Sequence, residues 1–141
     1  FGINDKVIVS SKKPQNNYLE AFSRDIINTM LNLNPNNVDY MEKTILSYAD
    51  GSSYGNLKKH LELLKKNIVS KKFSTVFYPI SIQADNVAMK VIIDGTLYVY
   101  FGQKQVSGEK KQYEITYRYE SGRLSIIGFS EIIEENNSNN K

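Results

Sequence analysis

The sequence predicts an α+β domain in which three N-terminal helices pack on one face of a curved antiparallel sheet of about four strands. Up to about Lys72, apolar residues recur at intervals of three and four, as on one face of a helix. From Phe73 to Glu134 they alternate with polar residues, which is the period of a strand. Short turns separate the strands, whereas a parallel sheet needs helices between them. Helices followed by strands are typical of the α+β class.

The first 17 residues mix a short apolar piece at 7–9 with Ser, Lys, Pro and Asn. We interpret 1–17 as a connector arm whose end can add a short edge strand. The chain begins at Phe1 without an initiator Met, so we expect it to be a processed or excised piece of something longer. Asn16 or Asn17 is expected to cap the first helix through its side-chain oxygen.

Three apolar stripes define the predicted helices. The sequence NPNN at 34–37 separates the first two, because residues before proline avoid the helical region, and Asn36 can cap the new start. Asp50 and Gly51 end the second helix, and Ser52 or Ser53 caps the third. The stripes are Leu19, Phe22, Ile26 and Met30; Val38, Met41, Ile45 and Tyr48; and Leu57, Leu61, Leu64 and Ile68.

The first two predicted strands meet at a turn at 85–86. In the first strand, apolar residues occupy every second position from Val76 to Ala84 and so share one face. Pro79 within this strand favours an edge strand or a bend. In the second strand, apolar residues occupy every second position from Val87 to Phe101. This pattern continues across Gly95, where a strand can kink or bulge.

The last two predicted strands form a hairpin. After Gly102 a polar stretch leads into a strand in which Tyr113, Ile115, Tyr117 and Tyr119 share one face, a pattern typical of a half-buried antiparallel strand. A tight turn at 121–122 joins it to a strand at 124–133. The predicted domain therefore spans 18–134, and the polar tail at 135–141 is expected to be disordered.

Few residues in the chain carry catalytic or metal-binding chemistry. Cysteine is absent and His60 is the single histidine, which disfavours thiolate and transition-metal sites. We expect His60 to be a structural residue at the surface or half buried. The glycines form no phosphate cradle, and the carboxylates fall on predicted polar faces. No stretch approaches the ~18 apolar residues of a membrane span. We therefore expect no enzyme and no cofactor.

The third helix carries lysines opposite its apolar stripe. A solvated face is the favoured interpretation, and a contact for acidic protein, anionic lipid or DNA is the alternative. The net charge of +3 is far below that of dedicated nucleic-acid binders, so direct contact with nucleic acid is disfavoured. The lysines concerned are Lys58, Lys59, Lys65, Lys66 and Lys72.

The chain is rich in aromatic residues, with ten tyrosines and six phenylalanines. Tyr98 and Tyr100 lie on the opposite face of their strand from Leu97 and Val99. We expect one face of the sheet to meet the helices and the other to be partly covered by a second copy or a partner. A base-stacking platform is the lesser alternative, because no Arg or Lys interleaves the aromatics in the required spacing.

Several stretches together resemble the TraE family of conjugative type IV secretion systems, over about 18–134. The stretches are LNLNPNNVDY (31–40), STVFYP (74–79), GTL (95–97), Gly102, Tyr113 and FSE (129–131). We expect structural roles for the matching residues, for example Pro35 between two helices, Gly95 at a bend, and Phe77 and Phe129 in the core. These residues are Leu31, Asn32, Pro35, Val38, Phe77, Tyr78, Pro79, Gly95, Gly102, Tyr113 and Phe129.

The resemblance implies the periplasmic part of an inner-membrane assembly protein with a VirB-type, nuclear-transport-factor-two-like fold. Such proteins are not enzymes; they scaffold the secretion channel by forming homo-oligomers and by contacting channel and pilus-assembly components. The implied membrane anchor would precede Phe1. Because relatives pair through their first helix, the candidates for self-association are Tyr18, Arg24 and Glu131.

Two alternatives remain open. Proteins of this cone-shaped fold can hold a small ligand or carry out isomerase chemistry, and a deep pocket with Asp94 beside a tyrosine hydroxyl would favour that function. A DNA-contacting role rests only on the lysines of the third helix.

Overall fold

The computed structural model describes residues 13–133, so the predictions for 1–12 and for the tail at 135–141 lie outside the described residues. Within 13–133, three helices precede four strands, and the strands form one antiparallel sheet in the order β1-β2-β3-β4. The elements are α1 (Asn16–Leu31), α2 (Val38–Ser47), α3 (Tyr54–Lys71), β1 (Phe73–Asp85), β2 (Lys90–Phe101), β3 (Lys104–Glu120) and β4 (Arg123–Glu131).

The core lies between the helices and one face of the sheet. The apolar stripes of all three helices point into it, although Phe22 and Leu64 are only partly buried and Tyr48 is 38% exposed, just beyond the end of α2. The sheet contributes one inward-facing row from each strand, which includes Phe77, Val91, Ile93, Tyr113, Ile115, Tyr117, Leu124 and Ile126.

The prediction that Asn16 or Asn17 caps α1 is wrong. Gln15 occupies the cap position and its side chain makes no capping bond. The Asn16 side-chain oxygen instead accepts a hydrogen bond from the backbone N–H of Asn86, 2.8 Å away. That side chain therefore ties the start of α1 to the turn between β1 and β2.

The break between α1 and α2 is organised by Asn34, whereas the sequence favoured Asn36 as the cap. The Asn34 side-chain oxygen accepts from the N–H groups of Asn36 at 2.7 Å and Asn37 at 3.2 Å. Asn37 occupies the cap position of α2 without a side-chain capping bond. The prediction of a helix break beside Pro35 is confirmed, and the choice of Asn36 is wrong.

Ser53 precedes α3 at the cap position, as predicted, but its hydroxyl does not cap the helix. It donates to the carbonyl oxygen of Ile126 on β4 at 2.7 Å. Ser52 bonds the Asp50 carboxylate through both its backbone N–H and its hydroxyl. The turn before α3 is thereby fixed to the sheet.

A bulge interrupts β1 directly after Pro79, where the register with β2 shifts between Pro79 and Ser81. Phe77 faces the core before the bulge, while Tyr78 and Ile80 are 58% and 69% exposed. Ile82 packs against the core after it. The prediction that every second residue of this strand shares one face along its whole length is therefore wrong. The bulge adds one residue and exchanges the two faces.

Gly95 lies opposite Pro79 in the β1–β2 ladder. A side-chain carbon at Gly95 would lie 2.4 Å from the carbonyl oxygen of Tyr78 and 2.5 Å from the ring of Phe77. Glycine is required here by close approach of the neighbouring strand. The predicted irregularity exists, but it lies in β1 rather than in β2 at Gly95.

The long hairpin of β2 and β3 differs from the prediction at two points. Val87, 79% exposed, lies in the turn before β2 rather than in the strand. β3 begins at Lys104, directly after the turn at Gly102, so the polar stretch that leads into the predicted strand is itself strand. Most of 104–110 is exposed, and a strand segment without a buried face shows no apolar alternation. The inward row of tyrosines in β3 is confirmed.

Both outer edges of the sheet are partly closed by other segments. Along β1, Leu33 and Thr75 exchange two backbone hydrogen bonds of 3.2 and 2.8 Å, and the Asn32 side-chain oxygen accepts from the N–H of Phe77 at 2.8 Å. Pro79 has no N–H to offer. Further along, the N–H of Ala84 lies 3.4 Å from the Glu20 carboxylate.

In the first half of the β4 edge, the α2–α3 connection covers Ile126. Ile126 donates its backbone N–H to the carbonyl oxygen of Tyr48 at 2.7 Å and accepts from the N–H of Asp50 at 2.9 Å. The second half of β4 has no such cover among the described residues.

Candidate protein-binding surfaces

One end of the domain carries a partly exposed cluster of aromatic side chains, which we call the aromatic end: Tyr18, Phe22, Tyr48, Tyr117 and Tyr119. The ring of Phe22 is the centre, with the ring centroids of Tyr18, Tyr48 and Tyr117 at 6.3, 5.4 and 5.7 Å. Tyr18 is 53% exposed and Tyr48 is 38% exposed. Large rings held in place by their neighbours and open to solvent are typical of protein-binding surfaces.

A buried hydroxyl pair supports the aromatic end from below. Ser23 Oγ of α1 lies 2.6 Å from the hydroxyl of Tyr117 of β3, and both residues are buried. Burial raises the pKa of the Tyr117 hydroxyl well above its ordinary value, and the hydrogen bond with Ser23 offsets this only in part. The pair therefore stays neutral and fixes α1 on the sheet.

A groove of about 490 Å³ opens beside Tyr18, between the start of α1 and the β3–β4 turn. The sequence predicts Tyr18 alone as a surface residue here and assigns Phe22 and Tyr48 to apolar helix stripes. Only the packing of α1 beside β3 brings Tyr119 to the same groove. The groove is lined by Lys13, Pro14, Gln15, Asn17, Tyr18, Tyr119 and Gly122.

Tyr18, Arg24 and Glu131 do not form one surface. Tyr18 and Arg24 lie on the exposed side of α1, but six residues on a helix place them about 120° apart. Glu131 ends β4, about 27 Å along that strand from Arg123 at the aromatic end. Its carboxylate pairs with the ammonium group of Lys111 at 3.1 Å. The roles of these residues in self-association stay predictions.

The lysines of α3 do not present a uniform basic surface. Lys65 pairs with the carboxylates of Asp39 at 2.7 Å and Glu42 at 3.4 Å. Its hydrogen bond with Asp39 is the main cause of a raised Lys65 pKa. Lys58 lies 3.4 Å from Glu62. A basic partner role for Lys58, Lys59, Lys65, Lys66 and Lys72 stays a prediction.

The residues that carried the family resemblance are mostly architectural in position. Leu31, Val38, Phe77 and Tyr113 are buried, and Tyr78 is 58% exposed. Phe129 is partly buried; its ring stacks on Tyr113 at 5.4 Å and meets the ring of the exposed His60 at 6.1 Å. Asn32 and Phe77, from two separate stretches, are hydrogen bonded to each other.

Asp94 does not lie in a deep pocket beside a tyrosine hydroxyl, which is the arrangement that would favour an enzyme. It lies on the face of the sheet away from the helices, where it accepts hydrogen bonds from Ser81 at 3.1 Å and Gln112 at 2.8 Å. It borders an open pocket of about 400 Å³ whose other lining residues include no tyrosine. Within 13–133, no three His, Asp or Glu residues are grouped as metal ligands would be.

None of the helices in the part of the chain that the structure describes combines the length and apolar character needed to cross a membrane.

Sequence comparison gives two matches. The profile of the family described as TraE protein matches residues 1–131. A curated relative, Protein TraE of Salmonella typhi, is 24% identical over 132 residues, which cover 94% of this chain and 71% of the relative.

Solved structures similar to this chain include two at low sequence identity. An IcmL-like type IV secretion system protein from Legionella pneumophila has a TM-score of 0.62 at 13% identity, covering 89% of this chain and 98% of that one. VirB8 of Agrobacterium tumefaciens has a TM-score of 0.59 at 11% identity, covering 87% of this chain and 99% of that one. These likenesses show the fold, and the predicted α+β class with three helices on a four-stranded antiparallel sheet is confirmed.

Proposed function

Because the chain belongs to the TraE family, we propose that it is a non-catalytic component of a bacterial conjugative type IV secretion channel. In this proposal it acts by self-association and by contact with other channel and pilus-assembly proteins. The likeness in fold to an IcmL-like type IV secretion system protein supports the assignment. The acting unit is the domain at 18–134, working in the periplasm and held at the inner membrane by an anchor in the longer protein.

The aromatic end is the observation that carries the self-association. It combines exposed Tyr18 and Tyr48 with a rigid support of Phe22, Tyr117 and the Ser23 hydroxyl. Tyrosine loses few rotamers on binding and buries a large ring, so it contributes strongly to interfaces at low entropic cost. We assign the contact between copies to the exposed side of α1, with Tyr18 at its centre and Arg24, about 120° away around the helix, at its margin.

The test is the oligomeric state of variants on α1, measured by light scattering over a range of concentrations. Tyr18→Ala and Arg24→Glu are expected to shift the protein towards the monomer. The matched controls are Tyr40→Ala and Lys43→Glu, which change the same residue type or add the same sign of charge on exposed α2 positions. An oligomer that survives both α1 variants would remove α1 from the interface.

A further inference from the structure

The second half of β4 is an open strand edge. The N–H of Ile132 donates to the carbonyl oxygen of Gln112 at 2.7 Å. This bond shows which alternate residues of β4 direct their backbone groups towards β3. Ser130 is paired with Glu114, so its backbone groups point towards β3. Those of Phe129 and Glu131 therefore point away from it. Among residues 13–133 these outward groups have no backbone partner.

Other stretches of the sheet boundary carry cover that this one lacks. The β1 edge is partly closed by Leu33, Asn32 and Glu20, and the β4 edge is closed at Ile126 by the chain from Tyr48 to Asp50. Natural sheets protect their edges because unpaired N–H and C=O groups are a template for another strand. The outward N–H and C=O groups of Phe129 and Glu131 are complementary to the backbone of an extended polypeptide.

A pocket of about 250 Å³ adjoins the open edge, between β4 and the first turns of α3. It has room for a single side chain from an added strand. The Phe129 ring and the His60 ring, 6.1 Å apart, form one wall, and Leu57 adds an apolar surface. The lining residues are Ser53, Asn56, Leu57, His60, Ile127, Gly128 and Phe129.

We propose that the β4 edge binds an extended segment of a partner polypeptide as a fifth, antiparallel strand. The partner residue opposite Phe129 carries an apolar side chain that enters the pocket. The inward-facing partner residue opposite Glu131 is two positions earlier in the partner sequence and is basic. It meets Glu131 and Glu109, which share a single cation, Lys111, at 3.1 and 3.2 Å.

A second copy of this chain fits the edge less well than a partner segment. Because the β1 edge is partly closed, the strand considered for a second copy is its own β4. An antiparallel pair of β4 strands centred on Ser130 would place Glu131 of each copy opposite Phe129, with its carboxylate towards an aromatic ring and away from Lys111. The edge also lies about 20–27 Å along β4 from Arg123 at the aromatic end, so this proposal does not rest on self-association there.

The probe is a fluorescent peptide, Ser-Thr-Lys-Thr-Leu-Thr-Thr-Ser, in which Lys and Leu have the predicted order and spacing. There are two control peptides: one exchanges Lys and Leu at the same composition, and the other keeps the sequence but is N-methylated at both residues, which removes their backbone donors. Binding is measured by fluorescence polarisation, and amide hydrogen exchange of Phe129 and Glu131 is followed with and without peptide.

The matched protein variants are Glu131→Pro and Glu131→Ala. Both remove the carboxylate, but only proline removes the outward N–H, and proline is tolerated where a strand N–H faces solvent. We expect Glu131→Ala to weaken binding several-fold and Glu131→Pro to bind about tenfold more weakly still. Asn56→Trp, at an exposed position of α3, is expected to fill the pocket and to prevent binding of the Leu side chain.

Protection of the Phe129 and Glu131 amides by the first peptide alone would support the proposal. Equal binding of the N-methylated peptide, or equal affinity of the Pro and Ala variants, would overturn it. Self-association that only Glu131→Pro abolishes, without peptide protection of the edge, would overturn the partner assignment and give the edge to a second copy.

Discussion

The Asn32 side-chain oxygen lies 2.8 Å from the backbone nitrogen of Phe77 and accepts its hydrogen bond. The bond joins the end of α1 to the edge of β1 across 45 residues of sequence. Its neighbours Leu33 and Thr75 exchange two further backbone bonds. Together these contacts close the edge of β1 before the bulge.

Asn32→Ala is expected to lower the free energy of unfolding by about 1–2 kcal/mol, because the N–H of Phe77 loses its acceptor in a half-buried position. The Phe77 amide should also exchange its hydrogen faster. Asn36→Ala is the control, since Asn36 is exposed and its side chain makes no hydrogen bond among the described residues. Urea denaturation with equal losses for both variants would contradict the edge-closing role of Asn32.

The Ser23–Tyr117 pair should behave as a coupled unit. Ser23→Ala or Tyr117→Phe leaves one buried hydroxyl without its partner and is expected to cost about 1–3 kcal/mol. The double variant should cost clearly less than the sum of the two single changes, because no hydroxyl is then left unpaired. A double-mutant cycle by urea denaturation measures this coupling, and strict additivity would argue against the pair.

Phe77→Ala is expected to destabilise the domain by about 3–5 kcal/mol, because the ring is buried against Tyr113 and its removal leaves a cavity. Tyr78→Ala, at the next position of the same strand, removes a ring that is 58% exposed and should cost much less. The comparison by thermal melting tests the face assignment before the bulge. An unchanged melting temperature for Phe77→Ala would show that Phe77 is not a core residue.

Asp50 should make the stability depend on pH in the acid range. Hydrogen bonds from Ser52 and the guanidinium of Arg118 at 3.0 Å lower the pKa of its carboxyl group from 3.8 to about 2. Because the folded pKa is the lower one, the stabilisation is complete above about pH 4 and is lost as pH falls through 2. Urea midpoints measured between pH 5 and pH 2 should fall less steeply for Asp50→Asn than for the unchanged protein.

Ser52→Ala gives the intermediate case for this pH series, because it removes the hydroxyl donor but keeps the backbone donor and Arg118. Its acid slope should lie between those of the unchanged protein and Asp50→Asn. Three equal slopes would show that the Asp50 carboxyl does not contribute to acid stability.

The order and type of the elements follow from local sequence, and so does the inward row of tyrosines in β3. Pro79 predicted an edge strand or a bend, and β1 is an edge strand with a bulge directly after Pro79. The exchange of faces at the bulge does not follow from local sequence, because it depends on the register with β2. The early start of β3 at Lys104 is set by pairing with β2. Because most of 104–110 is exposed, its apolar and polar residues do not alternate, and the sequence does not predict a strand there. The capping predictions are wrong at Asn16 and Ser53, because the Asn16 side chain bonds the β1–β2 turn and the Ser53 hydroxyl bonds β4.

The candidate surfaces were less predictable than the fold. Exposure of Tyr18 follows from its position on α1, but its grouping with Tyr48 and Tyr119 arises from packing between elements far apart in sequence. Nothing in the sequence indicates that Glu131 lies far from Tyr18. The open edge at Phe129 becomes visible only once the order of the strands and their hydrogen-bonding parity are known.

The sheet order β1-β2-β3-β4 repeats the order of the chain. Each strand therefore meets its partner across a short turn, and most sheet contacts close without a long loop, which favours fast formation. The distant contacts of α1 with Thr75 and Tyr117 form only after those strands exist. We expect the hairpins to form first in refolding and the docking of α1, with the Ser23 hydroxyl bond, to be the late step.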